Sequence, residues 1–202
     1  MLQSAYSMLI DPLLADQRNY VVDLAGIQAG LNILDVGSGT GAQVFAFAGK
    51  GASAVGIDSN LRMVRLANQL KVKYGTKNAT FKVGSALSLP FADDTFDIAS
   101  ISLVLHENNS GERDRIVSEM KRVVKQGGKL IMIDFLVPLP RNLPGYFIRT
   151  VEFLVGKTNY RCFLDYIEQD GLEGILDKCG LIKEKEAQLM SGVIAVVIAK
   201  NT

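Results

Sequence analysis

The stretch that most constrains this chain is Ile33-Leu-Asp-Val-Gly-Ser-Gly-Thr-Gly41, followed at once by the apolar run Ala42 to Ala48. Ile33, Leu34 and Val36 read as a buried parallel strand, and the three alternate glycines remove Cβ where backbone turns tightly and a ligand lies against it. Asp35 stands two residues before the turn, at the carboxyl end of its strand. Open α/β sheets bind ligands at that end, and a carboxylate there meets a cationic group. Gly37, Gly39 and Ala42 also satisfy the G-x-G-x-x-A form of the dinucleotide fingerprint, so this stretch alone leaves the ligand open.

A chain of 202 residues is long enough for one α/β domain with a full core and short for two. Charged residues make up 21% and nearly cancel, to a net charge of +1, which argues against a nucleic-acid surface. No run reaches the eighteen or so apolar residues of a membrane span, and Met1-Leu-Gln-Ser-Ala-Tyr lacks the basic start of a signal peptide. A cytoplasmic location is expected. Cys162 and Cys179 have neither metal-ligand spacing nor partner histidines, so free thiols are expected, with no metal and no disulfide.

Residues 1–30 carry an amphipathic pattern (Tyr6, Leu9, Ile10, Leu13, Leu14, then Val21, Val22, Leu24, Ile27), with Pro12 suited to open a helical turn, and read as a helical flap ahead of the sheet. Gly51 to Asp58 gives a second strand ending in an acid seventeen residues after Gly41, near the spacing at which a βαβ unit sets a carboxylate on a ribose. Leu61 to Leu70 recur at helical spacing up to Tyr74-Gly75. A third strand is expected over Ala79 to Gly84, a fourth with its exit over Ile98 to Leu105, a helix over Glu112 to Lys125 and a fifth strand over Lys129 to Phe135.

This alternation predicts a doubly wound, mostly parallel sheet. It stops at Pro138. Three prolines precede an apolar, aromatic segment, Tyr146 to Val155, within an insertion over 138–166 that is well placed to cover a ligand site. A last helix over Ile167 to Lys178 leads to two strands joined by Met190-Ser-Gly192, an antiparallel hairpin that completes seven strands in a single domain over 1–202.

With these pieces in order, residues 30–200 resemble the class I S-adenosylmethionine-dependent methyltransferases, in particular the ubiquinone/menaquinone-type and related small-molecule group. Ile33 to Gly41 resembles the family's first motif, and Gly56-Ile-Asp58 with Met63 its second. Leu89-Pro-Phe with Asp94-Thr-Phe-Asp97 resembles the segment before the fourth strand, and Arg122-Val-Val-Lys-Gln-Gly-Gly-Lys-Leu130 the turn before the fifth. The resemblance implies a Rossmann-like methyltransferase fold. It also implies that Gly37, Ser38, Gly39 and Gly41 form the loop on the cofactor's methionine part, and that Asp35 helps hold its ammonium group. Asp58 accepts the ribose hydroxyls, and Ser59 and Met63 flank the adenine. The family usually has an acid after the third strand's glycine; here Ser85 stands there, followed by Ala86, and a hydroxyl is a weaker acceptor than a charged group.

His106, the only histidine, falls just beyond the fourth strand, where this family brings substrate to the methyl group. Its pKa suits general-base work, although capping or ordering the loop is the competing role, because methyl transfer to a good nucleophile needs alignment more than a base. Glu107, Asn108 and Asn109 are candidate substrate contacts, with a helix N-cap as the competing role of Asn109 or Ser110. The expected activity is in-line methyl transfer from S-adenosylmethionine to a small-molecule or lipid-like acceptor, leaving S-adenosylhomocysteine. A quinone or phospholipid methyltransferase at the membrane surface is the nearest alternative. A non-catalytic S-adenosylmethionine sensor and an NAD-dependent oxidoreductase are the alternatives of other classes.

Overall fold

The computed structural model describes residues 15–202. The first part of the expected flap, residues 1–14 with Pro12, lies outside the described residues. What is described of it is α1 (Ala15–Ala25), whose Val21, Val22 and Ala25 are buried.

Seven strands form one sheet: β1 (Asn32–Val36), β2 (Ser53–Asp58), β3 (Ala79–Val83), β4 (Phe96–Ser102), β5 (Val124–Phe135), β6 (Ile182–Leu189) and β7 (Ile194–Lys200), in the order β3-β2-β1-β4-β5-β7-β6. β1 to β5 are parallel, and β7 runs antiparallel to both β5 and β6. The apolar run of β1 has the cause expected for a central strand: Ile33, Leu34 and Val36 are fully buried because neighbours lie on both sides, Ile33 level with Ala54 and Ile98. The order reverses between β1 and β4. Ligand crevices of doubly wound sheets open at that switch point, beyond the carboxyl ends of the strands.

The crossing helices α2 (Ala42–Gly49), α3 (Leu61–Tyr74) and α4 (Ser110–Val123) start and stop on local chemistry. Asn60 caps α3 by accepting from the Arg62 amide, and Gly75, in the left-handed region, ends it. Asn109 and Glu112 cap each other's backbone at the start of α4. β5 begins five residues earlier than expected, since Val124 already pairs with Phe96 before the Gly127-Gly128 irregularity shifts the register. The hairpin is present, but of its two strands β7 is interior and β6 alone lies at a sheet edge, opposite the β3 edge. The exposed Lys183-Glu-Lys-Glu186 protects the β6 edge from further pairing.

The insertion folds as α5 (Leu143–Val155) and α6 (Lys157–Glu168), and the expected last helix is split. Asp170 and Gly171 both take positive φ, which breaks the chain between α6 and α7 (Gly171–Cys179). A Cβ on Gly171 would meet Val137 at 2.6 Å, so glycine permits the turn to pass close under the insertion.

Candidate active site at the switch point

Beyond the carboxyl ends of β1, β2 and β4 lies a cavity of about 460 Å³. Asp35, Gly37, Ser38, Gly39, Asp58, Ser59, Met63, Ser85 and Ala86 line it, joined by Gln17 and Arg18 of α1 and Gln43 of α2. Gly41 does not. Its φ of 82° opens α2, and a Cβ there would sit 2.4 Å from the Phe81 ring, so glycine is needed for packing against β3.

The loop is held by the neighbouring strand. The amides of Gly37 and Ser38 both donate to the Ile57 carbonyl, at 2.8 and 3.0 Å, which turns the chain over the end of β2. Asp58 then accepts from Gly39 N at 2.8 Å through Oδ2 and from Asn60 N at 2.7 Å through Oδ1. A carboxylate has about four acceptor sites, so both oxygens retain capacity for a ligand's hydroxyls. Ser85 accepts from the Leu87 amide at 3.2 Å, which leaves its hydroxyl proton available.

Asp35 is the buried charge of the site. It is 3% exposed and accepts a 2.5 Å hydrogen bond from the Ser100 hydroxyl. Burial pushes its pKa up to about 7, against the lowering effects of Ser100 and Arg18, and Asp58 raises it further. A cationic ligand group beside it would restore the ionised form.

Among the described residues, three buried polar atoms on this cavity have no hydrogen-bond partner: Gln17 Oε1, Ser38 Oγ and Gln43 Nε2. Buried groups of this kind are rare in folded proteins, and three around one cavity mark a site shaped for a polar ligand. The lining fits S-adenosylmethionine: carboxylates at two strand ends, the unpartnered Gln17, Ser38 and Gln43 atoms beside them, and Ile57 and Met63 as apolar surface. The sequence did not single out Gln17, Arg18 or Gln43. They come from helices that reach the glycine loop only through the fold.

Towards β4, β5 and the hairpin the lining changes character, to Leu103, Val104, Ile116, Ile133, Leu189 and Ile194, with Ser102, Glu107 and Asn108 as polar groups. Glu107 and Asn108 thus reach the cavity. His106 does not. It is 2% exposed, and its Nδ1 lies 2.6 Å from Asp134 Oδ1. Asp134 also accepts from the amides of Leu105, His106 and Phe135, so this strand-end carboxylate ties down the turn Leu105–Glu107. Burial alone would lower the His106 pKa, but Asp134, with help from Glu152 and Glu107, raises it to about 9. His106 Nε2 is 3.8 Å from Glu152 of α5, and its ring packs on Phe135, Phe163 and Tyr166. Asp134 draws the imidazole into the core, where Glu152, Phe163 and Tyr166 of the insertion pack over it, and neither His106 nor any residue of 138–166 lines the cavity.

The chain matches the methyltransferase domain family over residues 27–166. It is 31% identical over 192 residues to demethylmenaquinone methyltransferase of Paenarthrobacter aurescens, covering 89% of this chain and 73% of that protein. It is 28% identical over 196 residues to the ubiquinone/menaquinone biosynthesis C-methyltransferase UbiE of Hahella chejuensis, covering 89% and 78%. In fold it is similar to a SAM-dependent methyltransferase from Aquifex aeolicus, with a TM-score of 0.71, 22% identity and coverage of 92% and 89%. The chain belongs to the methyltransferase family, as an S-adenosylmethionine-dependent enzyme of the class I, ubiquinone/menaquinone type.

Proposed function

We propose that this enzyme, expected in the cytoplasm, methylates a ring carbon of a flat, apolar, quinol-type acceptor. The observation that carries this reading is one cavity with two chemistries. Its β1–β3 side carries carboxylates and orphaned polar atoms, and its β4–β7 side is apolar apart from Ser102, Glu107 and Asn108. Two of the relatives named above are quinone-pathway methyltransferases, which supports an acceptor of that class.

The bound cofactor supplies an electrophilic methyl group on a sulfonium. In this reading Asp35 takes the ammonium group, the loop from Gly37 to Gly39 lies along the methionine part, and Asp58 takes the ribose hydroxyls. Ser59, Met63, Ser85 and Ala86 enclose the adenine. On the acceptor side the aliphatic wall excludes water, and Glu107 and Asn108 orient the ring oxygens, with Glu107 able to take up a phenolic proton as the ring carbon becomes nucleophilic. After the methyl arrives, the hydrogen on that carbon leaves as a proton and the ring oxygen is reprotonated, which restores the quinol. His106 acts as a positioning residue, setting the turn that carries Glu107 and Asn108.

Titration calorimetry with S-adenosylhomocysteine and, separately, NAD tests the cofactor. Labelled methyl transfer to a reduced short-chain prenyl naphthoquinone tests the acceptor. Binding of the first ligand only, with label on the ring, is expected. Binding of NAD alone overturns the reading, and tight cofactor binding with no transfer to any acceptor favours a sensor.

A further inference from the structure

α5 is amphipathic in the inverted sense. Its only carboxylate, Glu152, is 4% exposed and points inward beside Gly145 and Ile148, while Leu143, Tyr146, Phe147, Phe153 and Leu154 are 54 to 85% exposed. At 100° per residue these five, with Thr150 among them, fall on one side of the helix. A water-facing helix face of this composition is rare, because contiguous exposed apolar surface of this kind marks an interaction site. The charges around it have one sign. From Pro138 to Leu164 the basic residues are Arg141, Arg149, Lys157 and Arg161, and Glu152 is the only acid. Arg141, Lys157 and Arg161 are exposed at the two ends of α5.

We propose that this face of α5 lies on an anionic lipid surface, its aromatic and leucine side chains among the acyl chains and its flanking basic groups at the phosphates. The charge complementarity selects lipid over a second copy of the chain, since two copies joined here would set like-charged ends against each other. The geometry is that of a helix lying in the interface: α5 has 13 residues, and among the described residues no helix is long and apolar enough to cross a membrane. The contact adjoins the site through one side-chain pair. Glu152, on the inner face of α5, lies 3.8 Å from His106, whose turn carries Glu107 and Asn108 into the cavity. A lipid-held α5 therefore sits one side chain away from the acceptor end.

Flotation with vesicles of phosphatidylcholine, with or without phosphatidylglycerol, tests this. The wild type is expected to float with the anionic vesicles and to release in high salt, with little binding to phosphatidylcholine alone. Phe147→Ser with Leu154→Ser is expected to abolish flotation, and Lys157→Glu with Arg161→Glu to weaken it about tenfold or more. Both pairs are exposed, so S-adenosylhomocysteine affinity and transfer to a water-soluble acceptor should remain, which separates this proposal from the catalytic one. No flotation of the wild type, or flotation unchanged in both variants, overturns it. So does a lipid-independent dimer in sedimentation velocity that the serine pair converts to monomer.

Discussion

His106 Nδ1 lies 2.6 Å from Asp134 Oδ1 with both side chains cut off from solvent. The pair holds a charged imidazole inside the protein, and that has a pH signature. The folded-state pKa of about 9 exceeds the ordinary value of 6.5, so the stabilisation is complete below 6.5 and is lost as pH rises through 9. Urea unfolding between these limits should show falling stability, and His106→Gln should flatten that part of the profile. His106→Ala should cost about 3 kcal/mol, since it strands a buried carboxylate. A profile identical in wild type and variant would mean that the imidazole is neutral.

Asp35 also loses stability as pH rises, but here burial disfavours the charged form. Its pKa is raised from 3.8 to about 7, so the ligand-free protein binds more protons than the unfolded chain between those values and loses stability as pH rises through them. Asp35→Asn should therefore stabilise the ligand-free protein at pH 8 by about 1–2 kcal/mol, while weakening S-adenosylhomocysteine at least about tenfold. Affinity of the wild type should climb as pH passes about 7, and that climb should vanish in the variant. Calorimetry at several pH values, beside thermal melts, reads both effects.

Asp58 joins the second strand to the glycine loop through Gly39 N at 2.8 Å. Asp58→Ala should weaken S-adenosylhomocysteine by about 1.5–3 kcal/mol, the scale of hydrogen bonds to a charged group. A loss of ligand-free stability should accompany it, because the Gly39 and Asn60 amides lose their acceptor. Unchanged affinity would assign the ribose to another residue.

Gly39 and Gly41 should respond differently to alanine, though both have positive φ. A Cβ at Gly39 meets nothing within 4 Å, so Gly39→Ala should cost only the left-handed backbone penalty of about 1–2 kcal/mol. At Gly41 the Phe81 ring stands in the way, and overpacking adds a further 1–3 kcal/mol or so. Ligand binding should suffer more in Gly39→Ala, because Gly39 lines the cavity and Gly41 does not. Denaturant midpoints and ligand titrations on the two variants check this.

What could be read from the sequence was whatever is written locally. Ile33 to Gly41, the acid at Asp58 and the stop at Gly75 each carry their meaning within a few residues, so the central strands and much of the lining on the β1–β3 side of the cavity were legible. The Asp134 carboxylate was not flagged, although an acid inside Leu130-Ile-Met-Ile-Asp-Phe135 is the signal of a buried charge with a distant partner, here 28 residues away. Gln17, Gln43, Leu189 and Ile194 reach one cavity from three separate parts of the chain, and only the fold brings them together. The break at Asp170-Gly171 escaped for another reason: helical periodicity runs through it, and the close approach of Val137 that leaves room only for glycine at 171 comes from far off in sequence.

The placement of β7 between β5 and β6 sets the order in which the molecule is completed during synthesis. The outer edge of β5, from Lys129 to Phe135, pairs with residues 194–200, which leave the ribosome some sixty residues later. Until then a strand whose Leu130, Ile131 and Met132 end up fully buried presents an open, apolar edge to its surroundings. Non-local pairing of this kind is slow to form and exposes nascent chains to aggregation. A ribosome stalled or terminated before codon 194 would therefore release a sheet with its stickiest strand unguarded, and such products should be substrates for chaperones and proteases rather than partly active enzymes.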